Sequence, residues 1–304
     1  MKTQTLALLT TLLAVSSVVS AQDYAFKVLA NKGNNEIKSG EIWQPLKTGA
    51  SLKSGDEVKL SDNAYIGLVH ASGKPVEVKE AGVHKVSQLE TKVSTGSSVL
   101  NKYTDFILSS NSDEAKKNRL SATGAVHRKV SSEASIRLFL PENESAGIYN
   151  NTAVINWDGS KVAGPYIITV LNMFEDVLAK EESSETSYKM DLNNAKFAKE
   201  NAILVEISSK ADPKLVSDRH LIKKLSPAEI EKITLALKEF TADVREETAL
   251  NKLLLAGFYE QNNLLLDAIS AYEEALKLEP EVPTFKESYE EFLLRNKLKI
   301  SVSE

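Results

Sequence analysis

The hydrophobic period of this chain changes at Ser226. Upstream, short apolar and β-branched runs alternate in steps of two between turn residues; downstream, apolar residues recur every three or four positions. A chain in this order must bury sheet faces first and helix stripes afterwards, so the expected fold class is multidomain, β followed by α. Ser226-Pro227-Ala228-Glu229 marks the switch as a capping box with proline at the first helical position. Ile230, Ile233, Leu237 and Phe240 then fall on one helical face. Further helices are predicted near 247–260, 264–278 and 283–298, with Pro280 and Pro283 punctuating the last two.

Ahead of the switch, strands are predicted at Ala25–Ala30, Glu57–Leu60, Ala64–His70, Pro75–Lys79 and Val83–Leu89. Turn residues separate them, notably Lys32-Gly33-Asn34, Ser54-Gly55-Asp56 and Glu80-Ala81-Gly82. Within β-like Tyr65–Val69, Tyr65, Gly67 and Val69 share one face, with Ile66 and Leu68 on the other. Residues 22–96 therefore read as an all-β module, a small barrel or sandwich. Val99, Tyr103, Phe106 and Ile107 form one helix face, and the polar run after Ser109 predicts a mobile linker, so 97–127 is helix plus linker. Residues 128–212 return to strands at Ile136–Leu140, Val154–Trp157, Pro165–Asn172 and Ile203–Ser208, with Trp157 as core, and 213–304 form the helical domain.

The stretch WQPLKTGASLKSGD carries Trp43, Pro45, Leu46, Gly49, Leu52, Gly55 and Asp56 in a distinctive order, followed by Val58, Ala64, Ile66, Leu68 and the turn Ser72-Gly73-Lys74. Over residues 24–95 this pattern resembles FecR-like domains. The resemblance implies a compact extracellular β module similar to the periplasmic sensing part of iron-uptake regulators. Those regulators carry a sigma-factor-binding segment and a membrane span ahead of the module, whereas here only a signal-peptide pattern precedes it, so the regulator role is not implied. Physically, Trp43 is expected to cover one end of the sheet core and Pro45 to stiffen the approach to the next turn. Gly49 and Gly55 are expected to allow positive φ or close backbone approach, and Asp56 to bond turn amides. The alternative makes Trp43 an exposed ligand platform.

At the other end, Leu255, Ala256, Tyr259, Ala268, Tyr272, Ala275 and Pro280 match the signature positions of a frame of about 34 residues. Residues 249–282 thus resemble a tetratricopeptide repeat. Its small residues let paired helices approach, Tyr259 and Tyr272 fill the space between layers, and Pro280 ends the second helix. One frame upstream, Thr234 and Lys238 depart from the signature; downstream, Phe285, Tyr289, Phe292 and Leu293 form a helix face without it. One hairpin flanked by a degenerate helix and a capping helix is expected. Such a hairpin offers a groove to a partner peptide or helix; the other reading is a helical unit that packs only within its own chain. The middle region, with a Trp157 strand, the Asp158-Gly159 turn and a Tyr166 strand, resembles a fibronectin type III or immunoglobulin-like β-sandwich.

Lys2, the apolar run Leu6–Val19 and Val19-Ser20-Ala21 predict a signal peptide over 1–21, the run being shorter than the ~20 residues of a span. The chain has no cysteine, which excludes a lipid-anchored precursor and disulfides, so stability must come from burial. A net charge of −5 argues against nucleic acid and weakly against anionic membranes. His70, His84, His127 and His220 form no zinc-binding spacing, and neither a G-x-S-x-G elbow nor a phosphate loop occurs. Glu181-Glu182 and Glu246-Glu247 read as solvated, and the glycosylation patterns at Asn143 and Asn150 as incidental in a bacterial setting. The expectation is no catalytic residue, no metal and no cofactor. The expected protein is periplasmic or secreted, without stable membrane insertion. It is a non-enzymatic modular scaffold binding envelope proteins through its helical end. The alternative is binding of a ligand or cell-wall glycan by the N-terminal β modules; an envelope hydrolase is disfavoured.

Overall fold

The computed structural model describes residues 24–93, 99–124 (119–124 by backbone alone), 135–141, 146–241 and 247–299. The signal-peptide pattern, His127, Asn143–Ser145 and Glu246 lie outside the described residues. The first β region comprises β1 (Phe26–Lys32), β2 (Glu36–Ser39), β3 (Ile42–Pro45), β4 (Ser51–Leu52), β5 (Glu57–Leu60), β6 (Tyr65–His70), β7 (Pro75–Val78) and β8 (Gly82–Lys85). They form two four-stranded sheets, in the orders β4-β1-β6-β7 and β3-β2-β5-β8. Phe26, Val28, Leu46, Leu52, Val58, Leu60, Ile66 and Leu68 fill the core they share. The run predicted as one strand over Val83–Leu89 divides into β8 and a short helix, α1 (Val86–Thr91), because Val86 and Leu89, three apart, both turn inward.

Helix α2 (Val99–Ser110) follows as predicted, but the polar run after it is no linker over its described length: it forms α3 (Asp113–Gly124). Ser112 caps it, its Oγ accepting from Ala115 N at 3.2 Å, and Asp113 and Glu114 occupy the first turn, where negative charge suits the helix dipole. The second β region contains β9 (Arg137–Leu138), β10 (Ala146–Ile148), β11 (Thr152–Asp158), β12 (Tyr166–Leu171), β13 (Val177–Ser183), β14 (Ser187–Asp191), β15 (Ala202–Ser209) and β16 (His220–Lys224). A five-stranded sheet, β10-β16-β15-β12-β13, and a three-stranded one, β14-β11-β9, contribute to one apolar cluster. Trp157 lies in that cluster as expected, edge-on to Tyr166 at 5.2 Å. β16 pairs with β15, so strand structure continues past the boundary expected at 212.

The helical region is α4 (Pro227–Thr241), α5 (Ala249–Gln261), α6 (Leu265–Leu278) and α7 (Pro283–Arg295). The capping box forms in both directions: Ser226 N donates to Glu229 Oε2 at 2.8 Å and Glu229 N donates to Ser226 Oγ at 3.4 Å. The chain is thus β-rich first and helical last, and the two parts are not separate bodies. One apolar cluster joins Leu29, Tyr65 and Val69 of the first β region, Tyr103 and Ile107 of α2, Val154 of β11, and the inner residues of α4 through α7.

Candidate functional site

The helical hairpin is where the sequence places a partner groove, and the seven residues quoted for it differ in burial. Ala256, Tyr259, Ala268, Tyr272 and Ala275 are buried, Leu255 is half-buried, and Pro280 stands exposed just after α6 ends. The groove itself is another matter. α5 is buried from Ala249 to Tyr259 apart from Lys252 and Leu255, which are half-buried. Helix α2 lies so close that a Cβ on Gly257 would stand 3.1 Å from Ile107 Cδ1. Tyr103 meets the rings of Phe240 and Phe258, each at 5.6 Å. On another side, a Cβ on Gly67 would stand 3.0 Å from Leu250 Cδ1, so β6 presses directly on α5. Glu77 of β7 completes the joint, its Oε1 accepting from Tyr65 Oη at 2.7 Å and from the Leu250 amide at 2.9 Å, at the positive end of the helix. The chain's own α2 and first β region therefore occupy the surfaces of α5 that a partner helix would need.

Buried polar groups add further ties between the helices and the rest of the chain. Arg295 of α7 grips Glu260 with two bonds, Nε to Oε1 at 2.6 Å and NH2 to Oε2 at 2.7 Å, and reaches Asn111 Oδ1 at 3.2 Å. Burial alone would lower the Arg295 pKa, but Glu260 and Tyr272 together outweigh it and the net direction is upward. Asp267 of α6, fully buried, accepts the amides of Tyr149 at 2.9 Å and Asn150 at 2.8 Å. Burial pushes its carboxyl up to about 6, although both amides favour the charged form. Glu273, also raised by burial, accepts from Asn156 Nδ2 and from Tyr289 Oη, the latter at 3.2 Å. Asp267 and Glu273 thereby fasten α6 to the β10–β11 segment. None of Glu77, Glu260, Asp267, Glu273 or Arg295 was singled out from sequence; for the four on helices the one available signal was a charged residue interrupting an otherwise apolar face, and for Glu77 an acidic residue between Val76 and Val78 of β7.

The residues quoted from the WQPLKTGASLKSGD stretch divide. Leu46 and Leu52 are core, Gly49 takes φ +85°, and Asp56 Oδ2 accepts from Lys53 N at 2.7 Å, as expected of a turn. Gly55 needs neither positive φ nor close approach, since a Cβ there would meet nothing within 4 Å. Trp43 does not cover the core. It pairs with Lys38 across β2–β3, one step out of phase with Ile37 and Val58, and period-2 alternation puts it on the sheet's other face with Pro45. There it is half-buried, with the Lys38 and Lys59 ammonium groups 5.9 and 5.8 Å from its ring centre.

Among the described histidines, His84 Nε2 bonds Glu80 O at 2.7 Å and His220 Nδ1 bonds Pro141 O at 3.3 Å. His70 Nδ1 lies 2.8 Å from Ser72 Oγ, with Glu90 at 4.0 Å beyond Nε2. This resembles a nucleophile–base pair only superficially: the Ser72 amide also donates to Nδ1 at 3.1 Å, which makes the contact a local turn. Among the described residues no group of three or more His, Cys, Asp or Glu is placed to hold a metal ion, and no helix is long and apolar enough to cross a membrane. Among the described residues the most exposed large apolar side chain is Phe174, at 86 %, on the β12–β13 hairpin near Met173 and Val177. The sequence hint there is an apolar pair, Met173-Phe174, set between Asn172 and Glu175-Asp176. No protein-family model matches the chain, and no curated protein matches it.

Proposed function

We propose that the chain is an exported, non-enzymatic scaffold that holds another envelope protein, built from a FecR-like module, an immunoglobulin-like sandwich and a tetratricopeptide-like hairpin. The observation that carries this reading is the apolar cluster shared by the first β region, α2 and α4–α7, which fixes the parts relative to one another. A rigid frame presents its exposed patches in a constant arrangement, which lowers the ordering cost of binding. The hairpin then acts as the internal joint of the scaffold, and partner contact falls on surfaces outside the filled groove. Affinity capture on the intact mature chain, followed by direct binding between the two purified proteins, tests it. A captured envelope protein that binds directly supports the scaffold; a chain that retains only glycan, or turns over a substrate, contradicts it.

A second reading has its own observation in Trp43, which lies outside the core between Lys38 and Lys59, with Glu36 bridged to Lys59 at 3.1 Å. An indole edged by donors and acceptors suits a sugar ring of cell-wall glycan. Quenching of tryptophan fluorescence by peptidoglycan fragments, lost in Trp43→Leu and kept in Trp157→Phe, is the expected result; equal quenching in both variants would remove this reading.

A further inference from the structure

Resting on the scaffold reading, we infer that the tip of the β12–β13 hairpin is the contact that seats the chain in a protein partner, in an apolar pocket with a basic rim. Phe174, Met173 and Val177 are 86, 52 and 54 % exposed and lie within five residues of chain. A mobile loop could carry such residues without consequence, but this one is held in a single shape. Asn172 Oδ1 accepts the amides of Phe174 and Asp176, each at 2.9 Å, and Asn172 Nδ2 donates to Asp176 Oδ2 at 2.9 Å. Glu175 N closes the turn on Asn172 O at 3.1 Å, with Glu175 at φ +67°, a conformation that costs energy in a residue with a side chain. Arg219 then ties Glu175, at 2.8 Å, to Glu206 on β15, at 2.9 Å.

The tip therefore combines exposed apolar area with little conformational freedom left to lose, the two properties of an aromatic interface anchor. Its charges select the occupant. Glu175 and Asp176 directly follow Phe174 in a chain of net charge −5, which repels an anionic lipid surface and complements cationic groups around a pocket. A phenyl ring and a thioether fill such a pocket, while the carboxylate of Glu175, still 66 % exposed beside Arg219, and the exposed carboxylate of Asp176 meet its rim.

The test is photo-crosslinking by the full chain in its native envelope, with benzoyl-phenylalanine replacing Phe174 in one strain, Leu235, 61 % exposed on α4, in a second and Gln44, exposed on β3, in a third. Position 174 should give one protein adduct. That protein, purified, should bind the wild-type chain directly. Phe174→Ser should weaken binding at least about tenfold with melting unchanged, and Glu175→Gln with Asp176→Asn should weaken it and flatten its salt dependence. Adducts with lipid at 174, or an affinity indifferent to both variants, would overturn the inference. Adducts at 235 alone overturn the tip and leave the scaffold standing; no adduct at any position overturns both.

Discussion

Gly67 sits where the first β region meets the helical end. It sits on the Tyr65–Gly67–Val69 face of β6, and that face turns away from the first β core onto α5. Ile66 and Leu68, in alternation, serve the first core. The period-2 pattern was legible, and its two apolar faces imply burial on both sides; what was not legible is that the second cover lies in the last third of the chain. Gly67→Val should overpack this joint against Leu250 and Ala30, with a loss of about 1–3 kcal/mol in urea unfolding. A loss confined to a few tenths would mean that β6 and α5 are not in close contact. Glu260→Gln strands the Arg295 guanidinium among buried neighbours and should cost about 3–5 kcal/mol by the same measurement. The double change Glu260→Gln with Arg295→Met should recover part of that loss; additive losses would speak against a coupled pair.

At the scale of elements, α6 is fastened to the second β region by Asp267 and Glu273, and this joint carries a pH signature. Asp267 titrates near 6 when folded, above its ordinary 3.8, so the neutral form favours the folded state. Its contribution is complete below the ordinary value and is lost as pH rises through about 6. The stability of the wild-type chain relative to Asp267→Asn should therefore shrink as pH rises from 4 to 6.5, with a slope of up to about 1.4 kcal/mol per pH unit. A difference that is flat or grows with pH would contradict the buried carboxylate. Element identity was mostly readable where period and caps agreed, as at Ser226–Glu229, β5, β12 and α5–α7. β2 and β13 escaped because charged residues interrupt them, Glu36 and Lys38 in the first and Lys180, Glu181 and Glu182 in the second; β3, Ile42–Pro45, escaped because it is short, mostly exposed and ends in proline. α3 escaped because its drive is a serine cap and local charge, with no apolar stripe for periodicity to detect. The candidate surface was harder still: a groove is inferred from a repeat signature, but its filling by α2 depends on contacts such as Gly257 with Ile107, far apart in sequence.

For the whole molecule, the consequence of one cluster reaching from Leu29 to Leu298 is cooperativity. Truncating the helical end would strip cover from Tyr65, Val69, Tyr103 and Val154 and leave the β regions with exposed apolar faces, so the parts should not behave as independent domains. Phe174→Ser, by contrast, lies outside every core cluster and should leave stability within about 0.5 kcal/mol of the parent. Native-state hydrogen exchange in rising urea measures the central claim most directly. The amides of β6, β12 and α5 should converge on one opening free energy equal to that of global unfolding. If α5 opens at markedly lower energy while β6 and β12 stay protected, the helical end is an appended domain and its filled groove becomes available to a partner after all.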